Sequence, residues 1–185
     1  MQELSMNILD IAQNSVRAKA ALVEIALVLD GTTGVQTLTI ADDGCGMSPE
    51  MVRTVIDPFC TTRTTRKVGL GLPFLRMAAQ QTGGDVHIES TVGTGTTVTA
   101  TFGLGHIDLM PLGDMPGTIS ALVQGSPDID FIFRYARDGR SFVFDTREVR
   151  QILGDEVALS EPAVSLFIRD YIAEHLAEAD GPGTG

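Results

Sequence analysis

The chain has no tryptophan, two cysteines, three histidines and only 13 basic residues against 24 acidic ones. Each shortage removes a class of protein. Two cysteines cannot build a disulfide framework. A formal net charge of −11 argues against broad nucleic-acid binding, because a phosphate backbone needs basic patches. No apolar run approaches the ~20 residues of a membrane-spanning helix. No N-terminal stretch joins positive charge, an apolar region and a cleavage site. The expectation is a cytoplasmic protein with neither nucleic acid nor membrane among its partners. At 185 residues it can bury a sizeable core as one domain, or as one plus an appendage.

What is present concentrates in one line: Asp57-Pro58-Phe59-Cys60-Thr61-Thr62-Arg63, then Gly69-Leu70-Gly71-Leu72. An acid-Pro-Phe cluster leads into a Thr/Arg-rich loop, and a Gly-x-Gly opens an apolar helical stretch from Leu72 to Ala79. Glycines at a helix start let backbone N–H groups approach an anion, which the helix dipole also favours. Arg63, Arg66 and Lys67 place three cations in that loop. The stretch reads as a nucleotide triphosphate site under a mobile flap.

A lone Gly-x-Gly also serves as a plain turn, so its company matters. Upstream, Asp42-Asp43-Gly44-Cys45-Gly46-Met47 follows Val35 to Ile40, whose alternation predicts a strand. An acid at a strand end, with two glycines after it, offers a carboxylate beside bare backbone. A flat base can lie there and donate its exocyclic amine to the acid. Earlier still, Glu3 to Ala20 is helical in pattern. Leu4, Ile8, Ile11, Ser15 and Ala18 share one face, while Asp10, Asn14 and Arg17 form a second row at i, i+4 and i+7. Asn14 can give Mg²⁺ a neutral oxygen, Arg17 can reach phosphate, and Asp10 can align or deprotonate a water. Downstream, Val86 to Ser90 and Thr99 to Phe102 read as strands joined by the Gly-rich turn Gly93-Thr94-Gly95-Thr96-Thr97.

These four blocks, in this order, resemble the ATP-binding domain shared by type II DNA topoisomerases, heat-shock chaperone ATPases, sensor histidine kinases and mismatch-repair MutL proteins: the GHKL superfamily, with the Bergerat fold. Leu9-Asp10-Ile11-Ala12-Gln13-Asn14-Ser15 resembles the N box. Residues 57 to 72 are most similar to histidine kinases, where Pro-Phe-Phe-Thr-Thr precedes Gly-Leu-Gly-Leu. The resemblance spans Glu3 to Phe102. It implies an α/β (α+β) two-layer sandwich with a mixed sheet, binding ATP and Mg²⁺. It implies Asn14 on the metal, Asp42 on the adenine amine, and Gly44 and Gly46 around the base. It implies Gly69, Leu70, Gly71 and Leu72 near the phosphates with the flap cations, Thr97 near the adenine, and Arg17 near phosphate.

Asp10 departs from the family pattern. Hydrolysing members carry Glu four residues before the metal asparagine, and histidine kinases often carry Asn. Asp has the charge but one methylene less reach. Histidine kinases also place a phosphoacceptor His on a helical hairpin before this domain. Here the N box begins almost at Met1, and none of His87, His106 and His175 lies in such a hairpin. The expected role is an ATP-binding regulatory protein acting on a separate protein partner, as an anti-sigma-type protein kinase or a slow ATPase switch. A nucleotide-sensing module without catalysis is the alternative. Cys45 and Cys60 fall beside the expected nucleotide, a placement that raises redox sensing, although small cysteines often only fill space.

The sequence divides into an ATP-binding domain at 1–105, a small α+β extension at 106–180 and a flexible tail at 181–185. Within the extension, Met115 to Gln124 reads as a helix. Asp130 to Arg137 and Ser141 to Asp145 flank Asp138-Gly139 as a hairpin. Thr146 to Leu153 is helical, and Pro162 to Ala179 carries an apolar stripe of Val164, Phe167, Ile168, Tyr171, Ile172 and Leu176. The extension packs on the ATP domain, forms a homodimer or presents a surface to a partner.

Overall fold

A computed structural model describes residues 2–57 and 70–182. The described elements run α1 (Leu4–Arg17), β1 (Leu22–Asp30), β2 (Val35–Asp42), α2 (Pro49–Val55), α3 (Gly71–Gln81), β3 (Val86–Thr91), β4 (Gly95–Gly103), α4 (Met115–Gly125), β5 (Asp130–Arg137), β6 (Arg140–Asp145), α5 (Thr146–Leu153) and α6 (Pro162–Asp180). The strands form one six-stranded sheet in the order β3-β4-β2-β1-β5-β6. β1 and β5 pair in parallel and every other pair is antiparallel, so the sheet is mixed.

Register explains which face is buried. Ile25 lies opposite Ile40 and Phe133, and Ile40 lies opposite Val98. These side chains share one face because strand residues alternate sides. α1, α3, α4 and α6 cover that face with Ile8, Leu75, Leu122 and Ile168, giving a two-layer α+β sandwich over one core. Burying each such side chain contributes about 1.5–3 kcal/mol. The opposite face carries Thr37, Thr39, Thr99 and Thr101, all only partly covered.

Two elements stand outside the sequence expectations. β1 is a near-continuous apolar run, Leu22 to Leu29 broken only by Glu24. Ala26 and Val28 occupy its open face, so its alternation is blurred although Val23, Ile25, Leu27 and Leu29 are the buried set. α2 has seven residues, too few to show a period. Its start is nevertheless well marked: Ser48 caps Met51 N–H at 3.3 Å and Pro49 opens the helix.

The segment after β4 returns to the start of the chain. The first free N–H groups of α1, those of Leu4 and Ser5, donate to the carbonyls of Pro111 and Leu112 at 2.9 Å each. A helix start leaves such donors without partners, and here another part of the chain supplies them. β5 then extends the sheet beside β1, and α4 packs against both α1 and α6. Residues 106–182 thereby help to hold the helix that carries Asp10, Asn14 and Arg17.

Candidate functional site

Between α1, α2 and the ends of β2 and β4 lies a cavity of about 210 Å³. Ile11, Ile40, Leu72 and Val98 make apolar walls, Met47 and Met51 close one side, and Asp42 supplies an acid. An apolar slot with few fixed polar groups is the ordinary form of a small-molecule site.

Asp42 ends β2, and both its oxygens are held. Ser15 Oγ donates to Oδ2 at 2.6 Å, and the Gly44 N–H donates to Oδ1 at 2.9 Å. A carboxylate has about four acceptor positions, so two remain for a ligand amine. The next residue has a different task. Asp43 Oδ1 accepts from the N–H groups of Ala21 and Leu22, at 2.7 and 2.9 Å, and fixes the turn from α1 into β1.

The loop after Asp42 is tied to both neighbours. Cys45 N–H donates to the Ala18 carbonyl at 3.0 Å, and the Cys45 carbonyl accepts from Gly93 N–H at 2.7 Å. Met47 N–H donates to Ser90 Oγ at 2.7 Å. Gly46 has φ +70°, and a Cβ there would overlap the Thr91 carbonyl oxygen. Only glycine suits that backbone at that separation.

The polar row of α1 leads from this cavity to the start of α3. Asn14 and Arg17 line the cavity, and Arg17 Nη1 donates to Asn14 Oδ1 at 3.0 Å. Asp10 is exposed and sits against Gly71, where an added Cβ would lie 3.1 Å from Asp10 Cβ. Leu70 gives the start of α3 no side-chain cap, and because Gly71 lies against Asp10, the first backbone donors and positive dipole end of α3 are beside this polar row.

The structure thus brings together Asp10, Asn14, Arg17, Asp42, Gly44, Gly46, Gly71 and Leu72. Arg63, Arg66, Lys67, Gly69 and Cys60 lie outside the described residues. Thr97, expected beside the base, falls on the other face of the sheet. Thr96 lines the cavity, opposite Asp42 in the ladder, and bonds Ser90 Oγ at 2.8 Å. Strand alternation decides between the two hydroxyls, and only the register reveals its phase. Ser15, assigned to the core face of α1, proves to be the residue that holds the acid. Its signal was a hydroxyl within an otherwise apolar stripe, because a buried hydroxyl needs a partner. Cys45 is exposed and also lines the cavity.

A mixed-sheet sandwich with an acid at the head of an apolar slot, and a polar helix row leading to a helix start, is an α+β domain with a formed small-molecule cavity. Comparison with known proteins narrows this class. Residues 1–106 match the family described as histidine kinase-, DNA gyrase B- and HSP90-like ATPase. The chain belongs to that family, and it carries an ATP-binding domain of the histidine-kinase-like type. It is 32% identical over 99 residues to the histidine protein kinase DivJ of Caulobacter vibrioides, covering 51% of this chain and 17% of that protein. It is likewise 32% identical over 102 residues to the sensor protein SrrB of Staphylococcus aureus, covering 52% and 17%. The chain therefore spans about one sixth of the length of these curated relatives. Among solved structures, the N-terminal domain of a DNA repair protein shares the fold, with TM-score 0.57 at 14% identity, over 84% of this chain and 58% of that one. Among the described residues no helix is long and apolar enough to cross a membrane.

Proposed function

We propose that this chain is a Mg·ATP-binding regulatory protein that transfers the γ-phosphoryl group to a separate protein partner, as an anti-sigma-type protein kinase. The observation that carries this reading is Asp42 pinned by Ser15 and Gly44 at the head of the apolar slot. A carboxylate held there accepts from the 6-amino group of adenine and repels the 6-oxo group of guanine. The phosphates would run along α1 towards Gly71, met by Arg17, backbone donors of α3 and the cations of residues 63–67.

Mg²⁺ fits the donors present. It takes oxygen ligands, commonly one or two from the protein and the rest from phosphate and water. Asn14 Oδ1 is such an oxygen, oriented in the structure by Arg17. Among the described residues no cluster of three or more His, Cys, Asp or Glu competes for the role. The ion, when bound, would neutralise phosphate charge.

Asp10 would take the proton of the acceptor hydroxyl as its oxygen bonds to the γ-phosphorus and the bond to ADP breaks. Water in place of that hydroxyl gives hydrolysis. The short reach of Asp10 favours a second reading, a slow ATPase switch in which closure over nucleotide changes partner binding. Release of ADP from radiolabelled ATP tests the role of Asp10. Asp10→Asn is expected to keep nucleotide affinity within about twofold and to abolish turnover. Turnover surviving intact would remove Asp10 from the mechanism.

A further inference from the structure

The apolar stripe of α6 is only partly used by the core. Val164, Ile168 and Ile172 are buried, yet Phe167 stands 56% exposed and Ile152 on α5 stands 82% exposed. Both line one groove of about 360 Å³, together with Val149, Val157 and Val164. A smaller hollow over Phe144 and Tyr171 adjoins it and shares Ile152 and Phe167. A contiguous apolar surface with a polar rim marks an interaction site. The groove shares no residue with the Asp42 cavity.

Of the charged groups near the groove, those without an ion-pair partner among the described residues share one sign. Glu148, Asp155, Glu156, Glu161 and Asp170 are all exposed and flank the groove in sequence, and among the described residues none of them has an ion-pair partner. The arginines of the same elements are engaged: Arg147 with Asp145 at 2.7 Å, Arg150 with Asp130 at 2.9 Å, and Arg169 with Asp114 at 3.6 Å. The groove therefore offers an apolar floor, with Glu148 lining the adjoining hollow and unpaired acids on the neighbouring stretches of chain.

We propose that the α5–α6 groove docks a basic amphipathic helix of a partner protein. Apolar side chains at i, i+3 or i+4, and i+7 would seat against Ile152 and Phe167, and lysines or arginines beside them would meet the unpaired acids. Charge selects this occupant. A second copy of the chain would bring the same acids and the same net charge of −11. An anionic lipid surface would meet the same repulsion.

The test uses the full chain and a fluorescein-labelled synthetic peptide of about five helical turns, built from leucine and lysine at helical spacing. Saturable one-to-one binding is expected by anisotropy. It should weaken at least tenfold (about 1.4 kcal/mol) in the Ile152→Ser/Phe167→Ser double variant. Glu148→Gln/Asp170→Asn should weaken it less, and added salt should weaken it throughout. The thermal midpoint and nucleotide affinity should stay unchanged. Should the double variant unfold, the single substitution Phe167→Gln is read instead. Equal peptide affinity in parent and variant overturns the proposal, as does equal binding of the counterpart with glutamate for lysine. Anionic vesicles that bind the parent but not the variant, without peptide binding, would make the groove a lipid surface. A concentration-dependent dimer that the variant abolishes would make it a self-interface.

Discussion

Ser15 Oγ donates to Asp42 Oδ2 across 2.6 Å, joining a helix to the end of a strand 27 residues further on. The bond sets the position of the carboxylate before any ligand arrives. Fixing a recognising group in advance lowers the ordering cost of binding.

Ser15→Ala removes that donor and leaves Asp42 with the Gly44 N–H. A hydrogen bond to a carboxylate contributes about 1.5–3 kcal/mol, so ATP and ADP are both expected to bind at least roughly tenfold more weakly. Calorimetric titration reads the change. Equal losses for the two nucleotides place the effect at the base, whereas a loss for ATP alone would place it at the phosphates.

Gly46 and Gly34 have nearly the same backbone, φ +70° and +69°, in different surroundings. A Cβ at Gly46 would strike the Thr91 carbonyl, while one at Gly34 meets nothing within 4 Å. Gly34→Ala is expected to cost about 1 kcal/mol for its positive φ alone. Gly46→Ala should cost more than about 2 kcal/mol, because the loop must also move off the β3–β4 hairpin. Urea unfolding of the two variants decides, and equal losses would contradict the packing of that loop.

Tyr135 sits at 1% exposure with its hydroxyl donating to Asp180 Oδ1 at 2.5 Å. Burial, and then the neighbouring Asp180 carboxylate, raises its pKa well above the ordinary tyrosine value. The unfolded chain therefore loses this proton near pH ~10 while the folded chain keeps it. Because the folded pKa is the higher one, the stabilisation is complete below pH ~10 and is lost as pH climbs towards the folded value. Urea unfolding from about pH 8.5 to about pH 11 should show stability falling above pH ~10 with a slope approaching one proton. Tyr135→Phe should remove that component of the slope. An unchanged slope would assign the alkaline loss to other groups.

Sequence reading and structure agree where one periodic pattern dominates. α5 matches the expected Thr146 to Leu153; the structure adds that Asp145 caps Arg147 N–H and that Gly154 follows at φ +69°. The β5–β6 hairpin was legible from Asp138-Gly139, where both residues have positive φ. The polar row of α1 was legible because Asp10, Asn14 and Arg17 keep helical spacing. β1 was not, since apolar residues on its open face hide the period of two. Thr96 and Thr97 could not be told apart without the ladder that sets Asp42 opposite Thr96. Phe167 fits the α6 stripe by spacing, yet it stands 56% exposed in a groove beside Ile152 of α5. That distinction lies in packing between elements, beyond the reach of periodicity.

The measurement that bears most directly on the nucleotide site is calorimetric titration of a non-hydrolysable ATP analogue, with and without Mg²⁺, on the parent chain and on Asp42→Asn. Micromolar binding that Mg²⁺ tightens is expected for the parent. At least about a tenfold loss, shared by ATP analogue and ADP, is expected for Asp42→Asn. No binding at millimolar nucleotide, or full affinity in Asp42→Asn, would contradict the assignment of the Asp42 cavity as the adenine site.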